Sequence, residues 1–160
     1  MKKTLLFIAL IVSVITEAQV STVSLQASGL TCSMCSNAIY KSLKTLDFVL
    51  SVDADIKTYT FGITFKEGST IDFGKIKTKV ESAGFTVCAF VATIHFDNVR
   101  VSDNQPVVIQ NQALLFQPSG EHLLNGQTKV RFMDKGFVSA KEFKTTNLLV
   151  SAPQTYHVSL

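Results

Sequence analysis

The spacing of apolar side chains between residues 22 and 90 switches between the period of a strand and the period of a helix, and no other feature constrains the fold as strongly. Residues 22–28 alternate between apolar and polar side chains, as a half-buried strand does. Residues 33–46 instead place apolar side chains every three or four positions, which predicts an amphipathic helix. The inward-facing residues of that helix are predicted to be Cys35, Ile39, Leu43 and Leu46.

Two more strands, a second helix and a fourth strand are predicted downstream. Residues 48–54 and 59–65 are strand-like, and the short connection between them predicts a hairpin. Ser69 or Thr70 is the predicted N-cap of the second helix, Gly84 is its predicted stop, and the last strand begins directly after this glycine. The buried stripe of the second helix is predicted to be Phe73, Ile76, Val80 and Ala83.

The order strand, helix, strand, strand, helix, strand within about 70 residues is the split pattern of a ferredoxin-like α+β fold. Right-handed crossovers give this fold a four-stranded antiparallel sheet with both helices on one face. The topology also places the loop before the last strand beside the loop after the first strand. Phe85 is therefore expected near Cys32 and Cys35, where it would help to cover them.

Cys32 and Cys35 are two thiols, three residues apart, at the point where the first loop becomes a helix. Thiolates are soft donors that select ions such as Cu(I), Hg(II) and Zn(II) over hard cations. Backbone N–H groups at the start of a helix stabilise a thiolate, so we expect the pKa of Cys35 to be lowered. The same spacing occurs in dithiol redox sites, and the motif alone leaves both chemistries open.

The segment Gly29-Leu-Thr-Cys-Ser-Met-Cys35, the predicted topology and Ala83-Gly-Phe85 together resemble the heavy-metal-associated domain family of copper chaperones and periplasmic mercury-binding proteins. The resemblance is assigned to residues 19–91. It implies that the two motif cysteines, Cys32 and Cys35, hold one soft metal ion, with Cu(I) as the first choice and Hg(II) or Zn(II) as alternatives. It further implies a metal-donor or metal-acceptor protein, such as a membrane metal transporter, that exchanges the ion between thiolates.

Two positions depart from the usual pattern of that family. Leu30 stands where a buried Met is common, which is a volume-conserving change that should keep the packing of the loop. Phe85 stands where many bacterial members have Tyr, so a hydroxyl that could tune the site is missing.

A thioredoxin-like oxidoreductase is the main alternative from another class. That fold needs a parallel α/β core, usually a Trp before the first cysteine, and a cis-Pro facing the disulfide, whereas this chain has no Trp and no Pro before Pro106. A zinc ribbon would require a second Cys or His pair at ligand spacing, which the sequence lacks. Two alternatives to metal trafficking or detoxification stay open: an exported dithiol redox protein, and an adhesion or scaffold protein with a vestigial dithiol.

Residues 1–18 have the features of a secretory signal peptide. Lys2 and Lys3 precede an apolar run, and small residues at Thr16 and Ala18 suit cleavage after Ala18. The run is shorter than the roughly 20 residues that span a bilayer, so we expect a secreted or periplasmic protein that does not cross the membrane.

Three cysteines do not fit a disulfide scaffold, and a net charge of +3 is too weak to predict binding to nucleic acid.

Residues 92–160 contain short β-prone runs separated by turn signals and predict a small all-β module, either a five-stranded barrel or a sandwich-like sheet. The runs cover 92–101, 105–116, 128–133, 147–150 and 155–160. The turn signals are Asp97-Asn98, Pro118-Ser-Gly120, Asn125-Gly126 and Asp134-Lys-Gly136.

No paired nucleophile and base is found in the sequence, so enzymatic activity is not predicted. Cys88 is predicted to pack as a small apolar residue, with a third thiol beside the pair as the alternative.

Overall fold

The computed structural model describes residues 18–103, 105–117, 120–146, 148 and 152–160 of the 160-residue chain. Three sequence-based predictions fall wholly or largely outside the described residues. They are the signal peptide over 1–18, the turn at Pro118-Ser119 and the strand over 147–150.

The described helices and strands are numbered here in chain order. They are β1 (Gln19–Ser28), α1 (Ser33–Lys44), β2 (Val49–Asp55), β3 (Thr60–Phe65), α2 (Phe73–Ser82), β4 (Thr86–Val101), β5 (Pro106–Ile109), β6 (Gln112–Phe116), β7 (His122–Phe132), α3 (Ala140–Thr146) and β8 (Thr155–Ser159).

The first six elements have the predicted order and form the predicted ferredoxin-like arrangement. β1 lies between β3 and β4 and β2 pairs with β3, all antiparallel, which gives the sheet order β2-β3-β1-β4. The two helices lie side by side, and the Ser42 hydroxyl of α1 donates to the Lys79 carbonyl of α2 at 2.7 Å. The inner stripes predicted for both helices are buried, as shown by Ile39 and Leu43 of α1 and by Ile76 of α2.

The predicted size of the sheet and the predicted separate all-β module are wrong. Among the described residues eight strands form one sheet, in the order β2-β3-β1-β4-β7-β8-β6-β5. β4 is 16 residues long, runs through the expected boundary at 91–92, and pairs with β1 on one side and β7 on the other. Every second residue of β4 is still buried past that boundary, at Ala92, Ile94 and Phe96. The strand and the core beneath it therefore continue beyond residue 91 without a break.

Two predicted turns are instead a bulge in the long β4–β7 ladder. The register shifts between Phe96 and Val99, and Asn98 has a φ of 51° at this point. Phe96 pairs with Gly126, whose φ is 81°. Asn and Gly tolerate the left-handed conformation that both a turn and a bulge require. The same residues therefore fit either feature, and the prediction of two turns was wrong.

One turn and one helix were absent from the sequence-based prediction. The run 105–116 is two strands, β5 and β6, joined by Gln110 and Asn111, which both have positive φ as a type I′ turn requires. α3 was missed because it buries none of its residues and therefore shows no apolar stripe.

The start of α2 is capped by a residue other than the predicted ones. Asp72 is the N-cap, and its carboxylate accepts a hydrogen bond from Lys75 N at 2.9 Å, whereas the Ser69 hydroxyl donates to the Lys66 carbonyl. The predicted stop is confirmed, since Gly84 has a φ of 91° directly after the helix.

The C-terminal half of the chain completes both the core and the start of α2. Gln112 of β6 is buried, accepts a hydrogen bond from Phe73 N at 3.1 Å, and donates one to the Ile71 carbonyl at 2.6 Å. A cluster of aromatic rings joins the two halves in the core. Its members are Phe73, Phe90, Phe132, Phe137 and Tyr156, with neighbouring centroids 4.8–5.9 Å apart.

Candidate metal centre

The loop between β1 and α1 places both motif cysteines at the start of the helix. The loop begins at Gly29, which has a φ of 87°, and Leu30 anchors it with a buried side chain. Cys32 is the N-cap residue with extended backbone, and its carbonyl accepts a hydrogen bond from Cys35 N at 3.1 Å. Residues 29–32 are called the metal loop from here on.

The two sulfurs face each other across this first helical turn. Cys32 Sγ and Cys35 Sγ are 3.1 Å apart, and both cysteines are free thiols. Cys32 is exposed, whereas Cys35 is half-buried against the core. The structure therefore brings together the two residues that the sequence assigned to the site, with one thiol exposed to solvent and the other packed against the core.

The surroundings of the pair favour the thiolate form of Cys35. The pKa of Cys35 lies below its ordinary value, chiefly because of the hydrogen bond with the Cys32 thiol, and next because of the backbone N–H of Thr31. Partial burial acts in the opposite direction. Thiolate is the form that binds metal and attacks disulfides, so the lowered pKa of Cys35 favours both metal binding and thiol–disulfide exchange.

Phe85 lies against the metal loop, as the topology predicts. Its ring carbon Cδ1 would lie 3.9 Å from a Cβ placed on Gly29, and its side chain is half-buried on the core. Met34, between the two cysteines in the sequence, is 80% exposed. The Phe85 ring thus lies beside Gly29 at the start of the metal loop, and Cys32 is exposed.

Cys88 does not join the pair. Its thiol donates to the Gln26 carbonyl at 3.3 Å, and burial raises its pKa, with a further contribution from the Glu142 carboxylate. Among the described residues no group of three or more His, Cys, Asp and Glu side chains could hold a metal ion, so the third-thiol alternative is wrong. His157 is buried and its ring bonds to Asp134 at 2.9 Å.

The structure shows features of two residues beside the cysteines that the sequence analysis did not identify. Thr31 contributes to the lowered pKa of Cys35 through its backbone and its side chain, and only the folded loop reveals this. Ser36, directly after the second cysteine, is buried, and its hydroxyl has no hydrogen-bond partner among the described residues. A serine in a stripe of apolar residues was the one available signal.

Comparison with known proteins identifies the N-terminal half. Residues 24–86 match the family model described as the heavy-metal-associated domain. The chain carries a heavy-metal-associated domain. The match includes the metal loop, both cysteines, α1, α2 and the start of β4, and stops well short of the C-terminal half.

Three solved structures illustrate the similarity of this heavy-metal-associated domain to others. The yeast copper transporter domain Ccc2a, solved in apo and Cu(I)-loaded states, is 31% identical over 41% of this chain and 88% of its own, with a TM-score of 0.37. Oxidised MerP from Ralstonia metallidurans CH34 is 27% identical over 43% and 97%, with a TM-score of 0.39. The CopZ metallochaperone is 22% identical over 42% and 98%, with a TM-score of 0.39. No curated protein matches the chain.

None of the helices that the structure describes has the length and apolar character needed to cross a membrane.

Proposed function

We propose that this protein binds one soft metal ion between Cys32 and Cys35, Cu(I) in the first place, and passes it to another protein by thiolate exchange. The observation that carries the proposal is the pair of free thiols 3.1 Å apart within a heavy-metal-associated domain. Hg(II) and Zn(II) are the other ions that two thiolates accept. The ion is cargo rather than a catalytic cofactor, and the protein is not an enzyme.

The two sulfurs can bind one ion after a small movement of the metal loop. An ion bonded to both sulfurs at about 2.3 Å would hold them about 3.8 Å apart at a tetrahedral angle and about 4.6 Å apart in a linear arrangement. Binding must therefore widen the separation of 3.1 Å between Cys32 Sγ and Cys35 Sγ. Cys32 is the exposed member and lies at the end of the metal loop, so it is the thiol expected to move.

Two ligands leave the ion open to a third, which is what transfer requires. A thiolate of the partner can bond to the ion before the bond to Cys32 breaks, and the bond to Cys35 breaks last. The ion keeps its charge, and each thiol that is freed takes up a proton. A metal-donor or metal-acceptor protein, such as a membrane metal transporter, is the proposed partner, and a secreted or periplasmic location after removal of residues 1–18 is the proposed setting.

A dithiol redox function is the second candidate, and the distance between the sulfurs favours it. A disulfide requires about 2.05 Å between sulfurs, so the pair at 3.1 Å lies about 1 Å from bond formation. The lowered pKa of Cys35 would also favour attack on a disulfide of another protein. The anaerobic titration below separates the two functions, because a purely redox pair has no need to bind an ion tightly.

The test is an anaerobic titration of the reduced chain with Cu(I) against a chromogenic Cu(I) chelator. We expect one ion to bind per chain, and we expect binding to be lost in the Cys32→Ser, Cys35→Ser double variant. The matched control is Cys88→Ala, which removes the third thiol and should leave the stoichiometry and affinity unchanged. Equal binding by the double variant, or no binding by the unaltered chain, would overturn the proposal.

A further inference from the structure

Gln19 is the residue that the predicted signal-peptide cleavage after Ala18 would leave at the start of the chain. In the structure Gln19 is the first residue of β1, and it is exposed. An N-terminal glutamine holds a nucleophile and an electrophile in one residue, because its α-amine lies within reach of its own γ-carboxamide. Ring closure between two groups of the same residue is strongly favoured over reaction between separate molecules.

His95 of β4 lies directly opposite Gln19 in the sheet. The two are register partners in the antiparallel β1–β4 ladder, and both are exposed. Val20 and Ile94, the next pair along the ladder, are buried in the core, so Gln19 and His95 project from the opposite face of the sheet. Residues that face each other in such a ladder have Cβ atoms about 4.5–5.5 Å apart. The imidazole of His95 is therefore a neighbour of the two groups that would form the ring.

An imidazole supplies the proton transfers that this ring closure needs. The attacking α-amine must lose a proton and the departing amide nitrogen must gain one, and histidine accepts and donates protons near neutral pH. On its other side, the register partner of His95 is Gln127 of β7, whose neutral amide cannot form an ion pair with the imidazole. The cross-strand row therefore places a proton-transfer group next to Gln19.

We propose that Gln19, once it is the N-terminal residue, cyclises to pyroglutamate with assistance from His95. The α-amine nitrogen attacks the γ-carbonyl carbon and a new C–N bond forms, while the C–N bond to the amide nitrogen breaks and ammonia leaves. The imidazole takes the proton that the α-amine loses and delivers a proton to the departing nitrogen. No atom changes its oxidation state, so no redox partner is needed. The inference rests on the proposed setting, because only removal of residues 1–18 frees this α-amine.

A lactam ring at Gln19 is compatible with the fold and protects its central strand. The ring nitrogen keeps one N–H group, which can still donate a hydrogen bond in the ladder. The charged α-amine, which aminopeptidases require, is lost. β1 pairs with both β3 and β4 and leads directly into the metal loop, and trimming from its start would next remove the buried Val20. A blocked N-terminus therefore preserves the strand that positions the metal site.

The test follows the N-terminal peptide of protein that cells export after expressing the full chain. The protein is purified in the cold and incubated at neutral pH, and samples are digested and analysed by mass spectrometry over time. We expect the peptide to begin at residue 19 and to become lighter by about 17 Da, the mass of one ammonia.

Two variants of His95 and one control test the role of the imidazole. His95→Ala and His95→Gln should both slow the loss of ammonia at least about 10-fold, because a positioned acid–base group contributes that much or more. His122→Ala is the matched control, since it removes another exposed histidine of the sheet and should leave the rate unchanged. The melting temperatures of all three variants should stay within about 2 °C of the unaltered chain, as expected for exposed positions.

A peptide that begins at residue 19 and keeps its full mass would overturn the inference. Equal rates in the unaltered chain and both His95 variants would also overturn it, since ring closure would then be the unassisted reaction of any N-terminal glutamine. A chain that keeps residues 1–18, or that is cut at another position, would overturn the inference together with the proposed setting. The Cu(I) titration tests metal binding separately, so its failure is distinguishable from each of these results.

Discussion

At the scale of single residues, the two thiols of the site have different roles. Cys35 is fixed in the first turn of α1, and its pKa is lowered by Cys32 and by the Thr31 backbone. Cys32 ends the metal loop and is exposed. In the proposed function, a fixed thiolate that holds the ion and a movable thiol that releases it would together allow transfer in steps, with no stage at which the ion has no ligand.

The lowered pKa of Cys35 predicts how its reactivity depends on pH. The thiolate is the reactive form, so Cys35 should be alkylated by iodoacetamide at lower pH than an ordinary thiol. Cys32→Ala removes the largest cause of the shift and should move the Cys35 titration curve to higher pH. Peptide mapping by mass spectrometry after timed alkylation measures both curves.

Cys88 is the internal reference for that experiment. Burial raises its pKa, so its alkylation should begin at higher pH than that of Cys35 in the same sample. If the Cys35 curve is the same with and without Cys32, the proposed coupling of the two thiols is wrong.

At the scale of elements, the β5–β6 hairpin stabilises the start of α2. A helix leaves its first N–H groups without intrahelical partners, and the Gln112 amide accepts from one of them, Phe73 N. The same amide donates to the Ile71 carbonyl at 2.6 Å, so one buried side chain satisfies a backbone donor and a backbone acceptor. A helix of the heavy-metal-associated domain is thus completed by a residue outside the region that the family model matches.

Gln112→Ala should therefore destabilise the protein by about 2–4 kcal/mol, because it leaves two buried backbone groups without partners. Urea unfolding followed by circular dichroism measures the free energy of unfolding. Gln127→Ala is the matched control, since Gln127 is exposed on β7 and its removal should cost less than about 0.5 kcal/mol. Equal effects of the two substitutions would show that the Gln112 contact does not stabilise α2.

The sequence predicted the elements that have a strong period and missed those that lack one. Residues 22–90 gave the correct order of elements, and the two motif cysteines lie together as predicted, because alternation and helical spacing are both clear there. The extent of β4 was missed, since a strand that ends at residue 91 and one that ends at Val101 have the same alternation. Asn98 suits a turn and a bulge equally well, and the unpartnered hydroxyl of Ser36 exists only in the folded helix.

At the scale of the whole molecule, the two halves share one sheet and one core. β4 belongs to both halves, and Phe73 and Phe90 of the N-terminal half pack against Phe132 and Tyr156 of the C-terminal half. A core shared in this way favours unfolding in one cooperative step. The heavy-metal-associated domain of this chain is accordingly built into a larger fold and is not an independent module on a linker.

Phe132→Ala tests this unity. Phe132 is fully buried at the centre of the aromatic cluster, so its truncation should cost about 3–5 kcal/mol. Because the core is shared, hydrogen exchange should speed up in α2 as well as in β7, and thermal unfolding should remain a single transition. Leu123→Ala on the exposed side of β7 should change neither. Unfolding of the C-terminal half alone, with α2 still protected, would contradict the shared core.

The most direct test of the central claim is X-ray absorption spectroscopy of the Cu(I)-loaded, reduced chain at the copper edge. The account predicts that sulfur atoms alone surround the ion, two of them from Cys32 and Cys35, and that Cys88→Ala gives the same spectrum. Nitrogen or oxygen ligands at the copper, or an unchanged spectrum after Cys32→Ser and Cys35→Ser, would contradict the assignment of the site.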